Sequence, residues 1–400
     1  MSWEKKTLDQ LGSVSRGKSK HRPRNDPKLF GGQYPFIQTA DVKNANFYIT
    51  EYSDTYNETG LAQSKLWDIG TLCITIAANI ADTGILGIPA CFPDSVMGFI
   101  PYDGVSDVRF VKYCFDMLQR DCKQISQGTA QDNLSWQKLS TIEFPAPPFE
   151  NQHRIADILS AYDDLIENNR KQIKLLEEAA QRLYKEWFVD LRFPGHEHTK
   201  IMDGVPDGWE KSTVASVSSV LRRGISPRYN ENGKSIVINQ KCIRQTVVTF
   251  DESRRQEKPY PEDLNLQDSD TVICSTGAGT LGRVGQIFGD YSDTTFDSHV
   301  TLIRAKEGFE KQYLFQSLKA RQTYLMGMGK GSTNQLELSR GTIQDLDIHI
   351  PSKKVLNQFE QVAQPMHDKI SVISKSILQL QTVRDRLLPK LMSGEIELKK

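Results

Sequence analysis

The sequence lacks the features of a membrane protein and of a secreted, disulfide-bonded protein. No apolar run in its 400 residues approaches the about 20 residues needed to cross a bilayer, and its first residues, MSWEKKTLDQLG, contain no apolar core of a signal peptide. The six cysteines form no CxxC pair and follow no regular spacing, which indicates reduced thiols and not a zinc site. We therefore predict a cytoplasmic protein that does not associate with a membrane.

An excess of charge of either sign is also absent. Fifty Lys and Arg residues balance fifty Asp and Glu residues, so any binding of anions must depend on local basic clusters and not on the field of the whole protein. The length fits two domains of ordinary size plus connecting elements.

Motifs of common enzymes are missing as well. There is no HExxH, GxSxG, Walker loop or nuclease pattern of acidic residues and lysine at a sensible spacing. Residues 146–149, APPF, resemble the Pro-Pro-aromatic core of amino-methyltransferase motifs, but Ala146 cannot accept a hydrogen bond from a target amine. We assign no catalytic residue, and we expect these prolines to stiffen the entry into a helix.

Two other patterns resemble ligand sites but lack the context that such sites need. Residues 277–282 satisfy GxGxxG, yet the following RVGQIFGD does not resemble the helix that must start there to face a pyrophosphate. We expect a glycine-rich turn between strands that brings Arg283 close to a partner. His196, Glu197 and His198 lie in a linker marked by glycine and proline, so we interpret them as solvated and assign no metal site.

The chain contains an internal repeat, which organises the whole sequence. Residues recur at a separation of 206 positions near the start of each half, and the register drifts to 204 later. The pairs at 206 are Trp3/Trp209, Glu4/Glu210, Lys5/Lys211, Thr7/Thr213, Val14/Val220, Pro145/Pro351, Asn151/Asn357 and Gln152/Gln358, and those at 204 are Asp164/Asp368, Leu176/Leu380, Arg182/Arg386 and Leu183/Leu387.

Each half is predicted to hold a mixed α/β domain followed by a long helix, which gives an α+β fold. Short β-rich runs lie at 71–77, 271–275 and 300–305, and a short helix is expected at 106–120 and at 310–325. The predicted boundaries are domain 1 at 1–150, helix 1 at 151–190, a linker at 191–208, domain 2 at 209–352, helix 2 at 353–394 and a tail at 395–400.

Both helical stretches carry a heptad-like apolar seam. Its positions are Ile155, Leu159, Tyr162, Ile166, Asn169, Ile173, Leu176, Ala180, Leu183 and Trp187 in helix 1, and Ile370, Ile373, Ile377, Leu380, Arg384, Leu387 and Leu391 in helix 2, after a looser lead-in through Phe359, Val362 and Met366 around Pro365. Either seam alone is typical of a dimerisation or core helix. Two equal seams in one chain favour antiparallel packing as a coiled coil about 50 Å long, with a similar domain at each end. The proline puts the straightness of helix 2 in doubt.

Clusters of basic and polar residues recur at matching places in both halves. A charge run on its own usually marks a solvated face, but two corresponding runs in repeated domains favour contact with phosphates and base edges. The residues assigned to DNA binding are Arg16, Lys18, Lys20, Arg22, Arg24, Gln127 and Thr129 in the first half, and Arg222, Arg223, Arg228, Arg283, Lys330, Ser332 and Asn334 in the second. In the first cluster only Asp26 opposes the cations, and we expect a flexible loop.

An ordered set of segments resembles the specificity subunit of Type I restriction-modification enzymes over essentially the whole chain. The segments are SWEKKTLDQL and GWEKSTVASV, the loops QGTAQDNL and KGSTNQL, the helix entries that start at PFENQHR and LNQFEQV, RFPGHE between the halves and the ending LLPKLMSGE. The resemblance implies two target-recognition domains that read a split, asymmetric site in double-stranded DNA, with the paired helices as a ruler and as the dock for two modification subunits.

The same resemblance implies a non-catalytic subunit that binds no cofactor. The modification subunits would bring S-adenosylmethionine and adenine methylation, and separate restriction or translocase subunits would bring ATP, Mg and cleavage. Two alternatives remain open. A self-contained DNA methyltransferase or nuclease predicts S-adenosylmethionine or metal chemistry in the chain alone, and a coiled-coil scaffold predicts no DNA binding even with partner subunits present.

Overall fold

A computed structural model describes residues 3–76, 82–125, 136–329 and 337–396. At 121–125, 136 and 138 it describes the backbone only. The chain divides into two compact units: unit 1 contains residues 1–168 and 377–400, and unit 2 contains residues 169–376. Each of two long helices contributes one part to unit 1 and the other part to unit 2.

Unit 1 is a mixed α/β domain completed by parts of both long helices. Its strands are β1 (Glu4–Thr7), β2 (Gly12–Arg16), β3 (Phe30–Phe36), β4 (Tyr48–Ile49), β5 (Asp54–Tyr56), β6 (Leu72–Thr75), β7 (Thr83–Leu86), β8 (Val96–Pro101) and β9 (Glu143–Ala146). Its helices are α1 (Leu8–Leu11), α2 (Thr39–Asn44), α3 (Glu58–Ala62), α4 (Val108–Ile125), α5 (Trp136–Leu139) and the first part of α6 (Phe149–Tyr184).

The main sheet of unit 1 has the strand order β2-β8-β6-β7-β4. Strand β6 lies in its middle and is buried at every position, which explains why its sequence, LCIT, is apolar with a single small hydroxyl residue. Strands β2, β8, β6 and β7 pair antiparallel, and β4 pairs parallel to β7. Helix α4 packs on this sheet and buries Phe110, Val111 and Phe115.

Unit 2 repeats this plan with more strands. Its strands are β10 (Ile201–Met202), β11 (Val205–Pro206), β12 (Glu210–Thr213), β13 (Ser218–Arg223), β14 (Ser235–Ile238), β15 (Arg254–Gln256), β16 (Thr271–Cys274), β17 (Val284–Gln286), β18 (Thr294–Phe296), β19 (Val300–Ala305) and β20 (Asp347–Ile350). Its helices are α7 (Lys311–Ala320), α8 (Gln322–Gly327), α9 (Arg340–Gln344), the second part of α6 and the first part of α10 (Lys353–Met392).

The strand orders confirm the repeat predicted from the sequence. The main sheet of unit 2 is ordered β13-β19-β16-β17, which matches β2-β8-β6-β7 of unit 1 strand for strand. The pair β12–β20 matches β1–β9, with Glu210 opposite Ile350 where Glu4 is opposite Ala146. A separate sheet, β15-β14-β18, has no counterpart of the same order among the described strands of unit 1. The two halves are thus similar mixed α/β domains, as predicted.

The two predicted helical stretches form α6 and α10. Helix α6 continues into a π-helical turn, Lys185–Val189, and α10 is unbroken through Pro365. Every predicted seam position of α6 from Ile155 to Trp187 is buried or partly buried, as is every position of α10 from Ile370 to Leu391. In the lead-in of α10 the prediction is confirmed for Phe359, which is buried, and for Met366, which is partly buried, but it is wrong for Val362, which is 42% exposed while Ala363 and His367 are buried. Phe359 and Ala363 pack into the core of unit 2, and His367 lies 3.1 Å from Asp268. These contacts determine which face of α10 is buried there.

Different contacts hold the helices in each unit. In unit 1, Arg384 of α10 donates to Asp163 of α6, which is 3% exposed and also accepts a 2.5 Å hydrogen bond from Tyr113 of α4. In unit 2, Phe188 lies with its ring centre 5.0 Å from that of Phe359 and 4.7 Å from that of Tyr313. Among the described residues, no helix combines the length and apolar character that crossing a membrane requires.

Candidate nucleic-acid interface

The basic loop of unit 1, residues 16–28, begins at the end of β2. Arg16 is paired with Met97, Thr75 with Val96 and Ile74 with Thr83, so the loop leaves the sheet at the edge where β6 ends and β7 and β8 begin. This position places the loop beside the other turns of the same edge.

The prediction of a flexible loop is wrong, because hydrogen bonds of its backbone anchor the loop to the domain. The amide of Gly17 donates to Val96 O (2.8 Å), that of Lys18 to Phe92 O (3.0 Å), and Ser64 Oγ donates to Lys18 O (2.7 Å). A Cβ at Gly17 would lie 2.3 Å from Pro93 O, so only glycine allows this close approach. These contacts join residues far apart in the chain, so no local pattern of the sequence predicts them.

The cations of this loop divide into paired and unpaired side chains. Arg24 Nη2 lies 2.7 Å from Asp94 Oδ1, and Arg22 donates to two backbone oxygens within the loop and lies 3.8 Å from Asp94. Asp26 is therefore not the only opposing acid, because folding brings Asp94 to the loop.

The remaining four cations, Arg16, Lys18, Lys20 and Lys28, are exposed and have no side-chain hydrogen bond or ion pair in the described part of the chain. The Lys28 amide and the His21 side chain hold the pKa of Asp26 below its usual value, so this carboxylate stays charged. Asp26 Oδ2 lies 2.9 Å from His21 Nε2, so this carboxylate is held within the loop. The loop thus offers four cations without an ion-pair partner to an anion.

Unit 2 brings its predicted basic residues together at the corresponding place, which we call the loop edge. It is the end of the main sheet where β13 and β16 finish and β17 and β19 begin, with Arg223 opposite Thr301, Cys274 opposite Val300 and Ile273 opposite Val284. Arg222 and Arg223 end β13, and Arg283 directly precedes β17. Residues that are about sixty positions apart in sequence therefore share one edge.

The arginines of the loop edge are not equivalent. Arg223 is fixed by Glu337 (2.7 Å) and by a hydrogen bond to Leu338 O (2.7 Å), whereas Arg222 has only a loose 3.7 Å contact with Asp263. Arg228 is highly exposed and 3.8 Å from Glu257. Arg283 is half-buried and has no ion-pair partner within the described ranges. Arg223 therefore acts as a brace, and the other three can meet a ligand.

The glycine-rich segment 275–283 is a turn between two antiparallel strands, as predicted, and no helix starts in it. Gly277, Gly279 and Gly282 have φ of +103°, +77° and +76°, a backbone region that disfavours other residues. Gly282 also lies against the backbone of Met326, where a Cβ would be 2.5 Å from its amide nitrogen. The glycines serve the turn that precedes Arg283, and the segment lacks the helix start on which a pyrophosphate would be bound.

Sequence reasoning missed two cations that the small sheet adds to this edge. Strand β14 ends at this edge with Ile238, which is opposite Phe296 of β18. The exposed Lys241 follows it. Strand β15 pairs Arg254 with Val237, next to the same end. No sequence signal identified either residue, because only the pairing of β14 with β15 and β18 brings them to the edge.

Five predicted site residues lie outside the described residues, namely Gln127, Thr129, Lys330, Ser332 and Asn334. Glu337, the next described residue after the second group, forms a β-bridge with Thr276 in the glycine-rich turn. His196 and His198 lie in a 3-10 turn, and among the described residues no group of three His, Cys, Asp or Glu side chains could hold a metal ion.

The comparison with known families agrees with this repeated architecture. A family model described as the Type I restriction modification DNA specificity domain matches residues 1–178 and, a second time, residues 206–368. The chain belongs to this family. The resemblance predicted from the ordered segments of the sequence is therefore confirmed, and each matched range covers one domain with part of its long helix.

Relatives of this specificity subunit match it over nearly their whole length. The MjaIX specificity subunit of Methanocaldococcus jannaschii is 28% identical, with 98% of this chain and 93% of the relative covered. The HindI specificity subunit of Haemophilus influenzae is 24% identical, with 96% and 98% covered. The crystal structure of a Type I S subunit from M. genitalium has a TM-score of 0.57 at 16% identity and covers 98% of this chain and 96% of its own, so the fold is shared.

Proposed function

We propose that this chain is the DNA-reading subunit of a Type I restriction-modification complex and that each unit reads one part of a split, asymmetric target in double-stranded DNA. The observation that carries this proposal is the recurrence of one arrangement. In both units a basic segment leaves the main sheet at the same edge, after β2 in unit 1 and after β13 in unit 2. A single basic cluster is commonly only a solvated face of the protein. A cluster that recurs at the same topological place in two domains favours binding of the same kind of ligand by both.

The lysines and the arginines of these edges suit different parts of DNA. Lys18 and Lys20 are mobile point charges that suit phosphates and hold the register of the complex. The exposed arginines, among them Arg16, Arg222 and Arg228, have planar forks that can also pair with base edges. Sequence selection would therefore fall to the arginines and to the loops around them.

We further propose that α6 and α10 pair antiparallel as a coiled coil and set the spacing between the two half-sites. Helix α6 begins in unit 1 and ends in unit 2, whereas α10 begins in unit 2 and ends in unit 1, which supports opposite directions. Contacts between the two helices occur in each unit, through Asp163 with Arg384 and through Phe188 with Phe359. The 36 residues of α6 give a helix about 50 Å long.

The partners in this proposal are two modification subunits that dock on the helices, and restriction or translocase subunits in an assembly that also cleaves. Large apolar side chains of the helices support docking, since Leu165, Leu175, Val372 and Leu378 are 48% to 64% exposed. The partners would hold S-adenosylmethionine, ATP and Mg, and this chain would be the non-catalytic subunit. The five cysteines whose side chains the structure describes are buried free thiols, which fits a cytoplasmic location.

Methylome sequencing tests the proposal directly. The chain is expressed with its modification subunit in a host that lacks adenine methylation, and we expect new methylated adenines within one bipartite, asymmetric motif. The chain alone and the modification subunit alone serve as controls and should leave the genome unmodified. A continuous motif, or no methylation by the pair, would overturn the proposal. Methylation by the chain alone, or tight binding of labelled S-adenosylmethionine to it, would favour a self-contained methyltransferase.

A further inference from the structure

One arginine of unit 2 is held against an aromatic ring at the protein surface. The guanidinium carbon of Arg254 lies 3.6 Å from the centre of the Tyr229 ring. Both side chains are exposed, and Tyr229 keeps 42% of its surface accessible. A cation this close to a ring face is attracted to the ring, which favours one orientation of a long side chain.

The backbone around this pair is rigid on both sides. Arg254 begins β15, and Gln256, which is fully buried, ties that strand down through hydrogen bonds to Ser235 and Lys258. Tyr229 forms a β-bridge with Gln256, so the ring and the arginine are fixed to the same strand. The contact therefore does not depend on a flexible loop.

The donors of Arg254 remain available although several acids lie close in sequence. Glu252 contacts Arg244 at 3.4 Å, and Glu257 accepts a 2.5 Å hydrogen bond from Asn230 and lies 3.8 Å from Arg228. Arg254 itself has no acidic or carbonyl partner in the part of the chain that the structure describes. It is thus an unneutralised cation of the loop edge whose orientation is already set.

We propose that Arg254, held by Tyr229, is a fixed two-donor fork that reads a guanine in the half-site bound by unit 2. This inference rests on the proposed function. The ring lies against the guanidinium carbon, and no described residue accepts a hydrogen bond from the N–H groups, so the O6 and N7 acceptors of guanine in the major groove can accept two parallel hydrogen bonds from them. A phosphate contact would not need a fixed direction, because a phosphate accepts hydrogen bonds from many sides.

Substitutions that separate charge from fork geometry test this reading. The full chain is assembled with its modification subunit, and methylation is measured on duplexes that each change one base pair of the target. The Arg254→Ala and Arg254→Lys variants should each lose discrimination at a single G·C pair by about 5- to 150-fold. Tyr229→Phe should behave as the parent, since it keeps the ring, and Tyr229→Ala should lose part of the same discrimination.

Arg244→Ala is the matched control, because Arg244 is an exposed arginine of the same region that is already paired with Glu252. It should keep the parental preference at every position, and thermal unfolding should confirm that all variants are folded. The inference is wrong if the Arg254 variants weaken all duplexes equally, as a phosphate contact would, or change nothing. A parent complex without any sequence preference would instead overturn the proposed function itself.

Discussion

Arg222 and Arg223 are neighbours in β13, and their side chains leave opposite faces of the strand. Arg223 meets Glu337 and the carbonyl of Leu338, so it ties the end of β13 to a distant segment. Arg222 meets only a distant carboxylate, that of Asp263. At the scale of single residues, the tertiary neighbours and not the residue type decide which cation can bind a ligand.

This difference predicts opposite phenotypes for two adjacent substitutions. Arg223→Ala should lower the free energy of unfolding by about 1–3 kcal/mol, because a carbonyl and a carboxylate lose a charged hydrogen-bond donor. Arg222→Ala should change it by less than about 0.5 kcal/mol but weaken DNA binding by the assembled complex. Urea unfolding and DNA titration of the same two variants check both effects. Equal stability of the two variants would contradict the brace assigned to Arg223.

The unpaired lysines of the basic loop give a second prediction. Lys18→Ala and Lys20→Ala should weaken binding to every DNA sequence, and each should reduce the slope of log affinity against log salt concentration by about 1. Their backbone anchors remain, so the fold should not change. Arg24→Ala is the control, because Arg24 is already neutralised by Asp94 and should affect the slope less. Fluorescence anisotropy at several salt concentrations measures this, and an unchanged slope for both lysine variants would rule out phosphate contacts.

At the scale of elements, the repeat keeps positions but changes their chemistry. Asp163 of α6 corresponds to His367 of α10, and Arg384 of α10 corresponds to Ala180 of α6, each at a separation of 204. In unit 2, His367 is buried and lies 3.1 Å from Asp268, and it lines a cavity of about 20 Å³ beside Ala180. Each helix therefore has its own set of partners in each unit, and an aspartate placed at position 367 alone would be buried near Ala180 without an arginine.

Removal of Arg384 tests the contact in unit 1. Arg384→Met should lower the free energy of unfolding by about 3–5 kcal/mol near neutral pH, because Asp163 stays buried without its countercharge. Burial already raises the pKa of Asp163 above its usual value, and loss of Arg384 raises it further. A carboxyl with a raised folded-state pKa takes up a proton more readily in the folded than in the unfolded chain. The deficit should therefore shrink as the pH falls from 8 to 5.

Two comparisons make this prediction specific. The double variant Asp163→Asn with Arg384→Met removes the buried charge and should recover most of the stability at pH 8. Arg386→Met changes an exposed arginine of the same helix and should have little effect at either pH. Urea unfolding of all three variants at both pH values is the measurement, and a deficit that grows toward pH 5 would contradict the role of Asp163.

At the scale of the whole molecule, the two domains would read the DNA half-sites and the helices would set the distance between those half-sites. The units divide between residues 168 and 169 of α6 and between 376 and 377 of α10. These are the points where added helix would change the spacing without disturbing the contacts that either domain makes with its own helical parts. Seven residues add about 10 Å of helix and keep the apolar seam close to its original phase.

One heptad inserted at both points should therefore lengthen the DNA spacer. About 10 Å corresponds to roughly three base pairs at 3.4 Å per pair, and the two half-site sequences should stay the same. Methylome sequencing of cells that carry the variant with its modification subunit reads both quantities. A heptad inserted in α6 alone should abolish methylation, because the two seams no longer match. If the doubly extended chain keeps the parental spacer, the helices are not a ruler.

Much of the fold could be predicted from local and periodic features. The repeat at 206 and 204, the seams of α6 and α10 and the glycine-rich turn before Arg283 are all explicit in the order of residues, and the structure contains each of them. Prediction is less accurate where contacts with residues distant in the sequence decide which side chain is buried or whether a loop is anchored. The heptad pattern predicts that Val362 is buried, but Ala363 and His367 are buried in its place. The run of basic residues predicts a flexible loop, but hydrogen bonds to Ser64 and Phe92 anchor it.

The sequence by itself determined the two-domain plan, the family and the segments that carry basic charge, because apolar periodicity, glycine geometry and duplication act through near neighbours in the chain. Only the tertiary structure decided which cations are neutralised, which are free and which are oriented. Asp94, Glu337 and Tyr229 reach Arg24, Arg223 and Arg254 through strand pairing and loop packing. A charge acts on whatever lies within a few ångströms of it, and that distance is fixed by folding and not by position in the sequence.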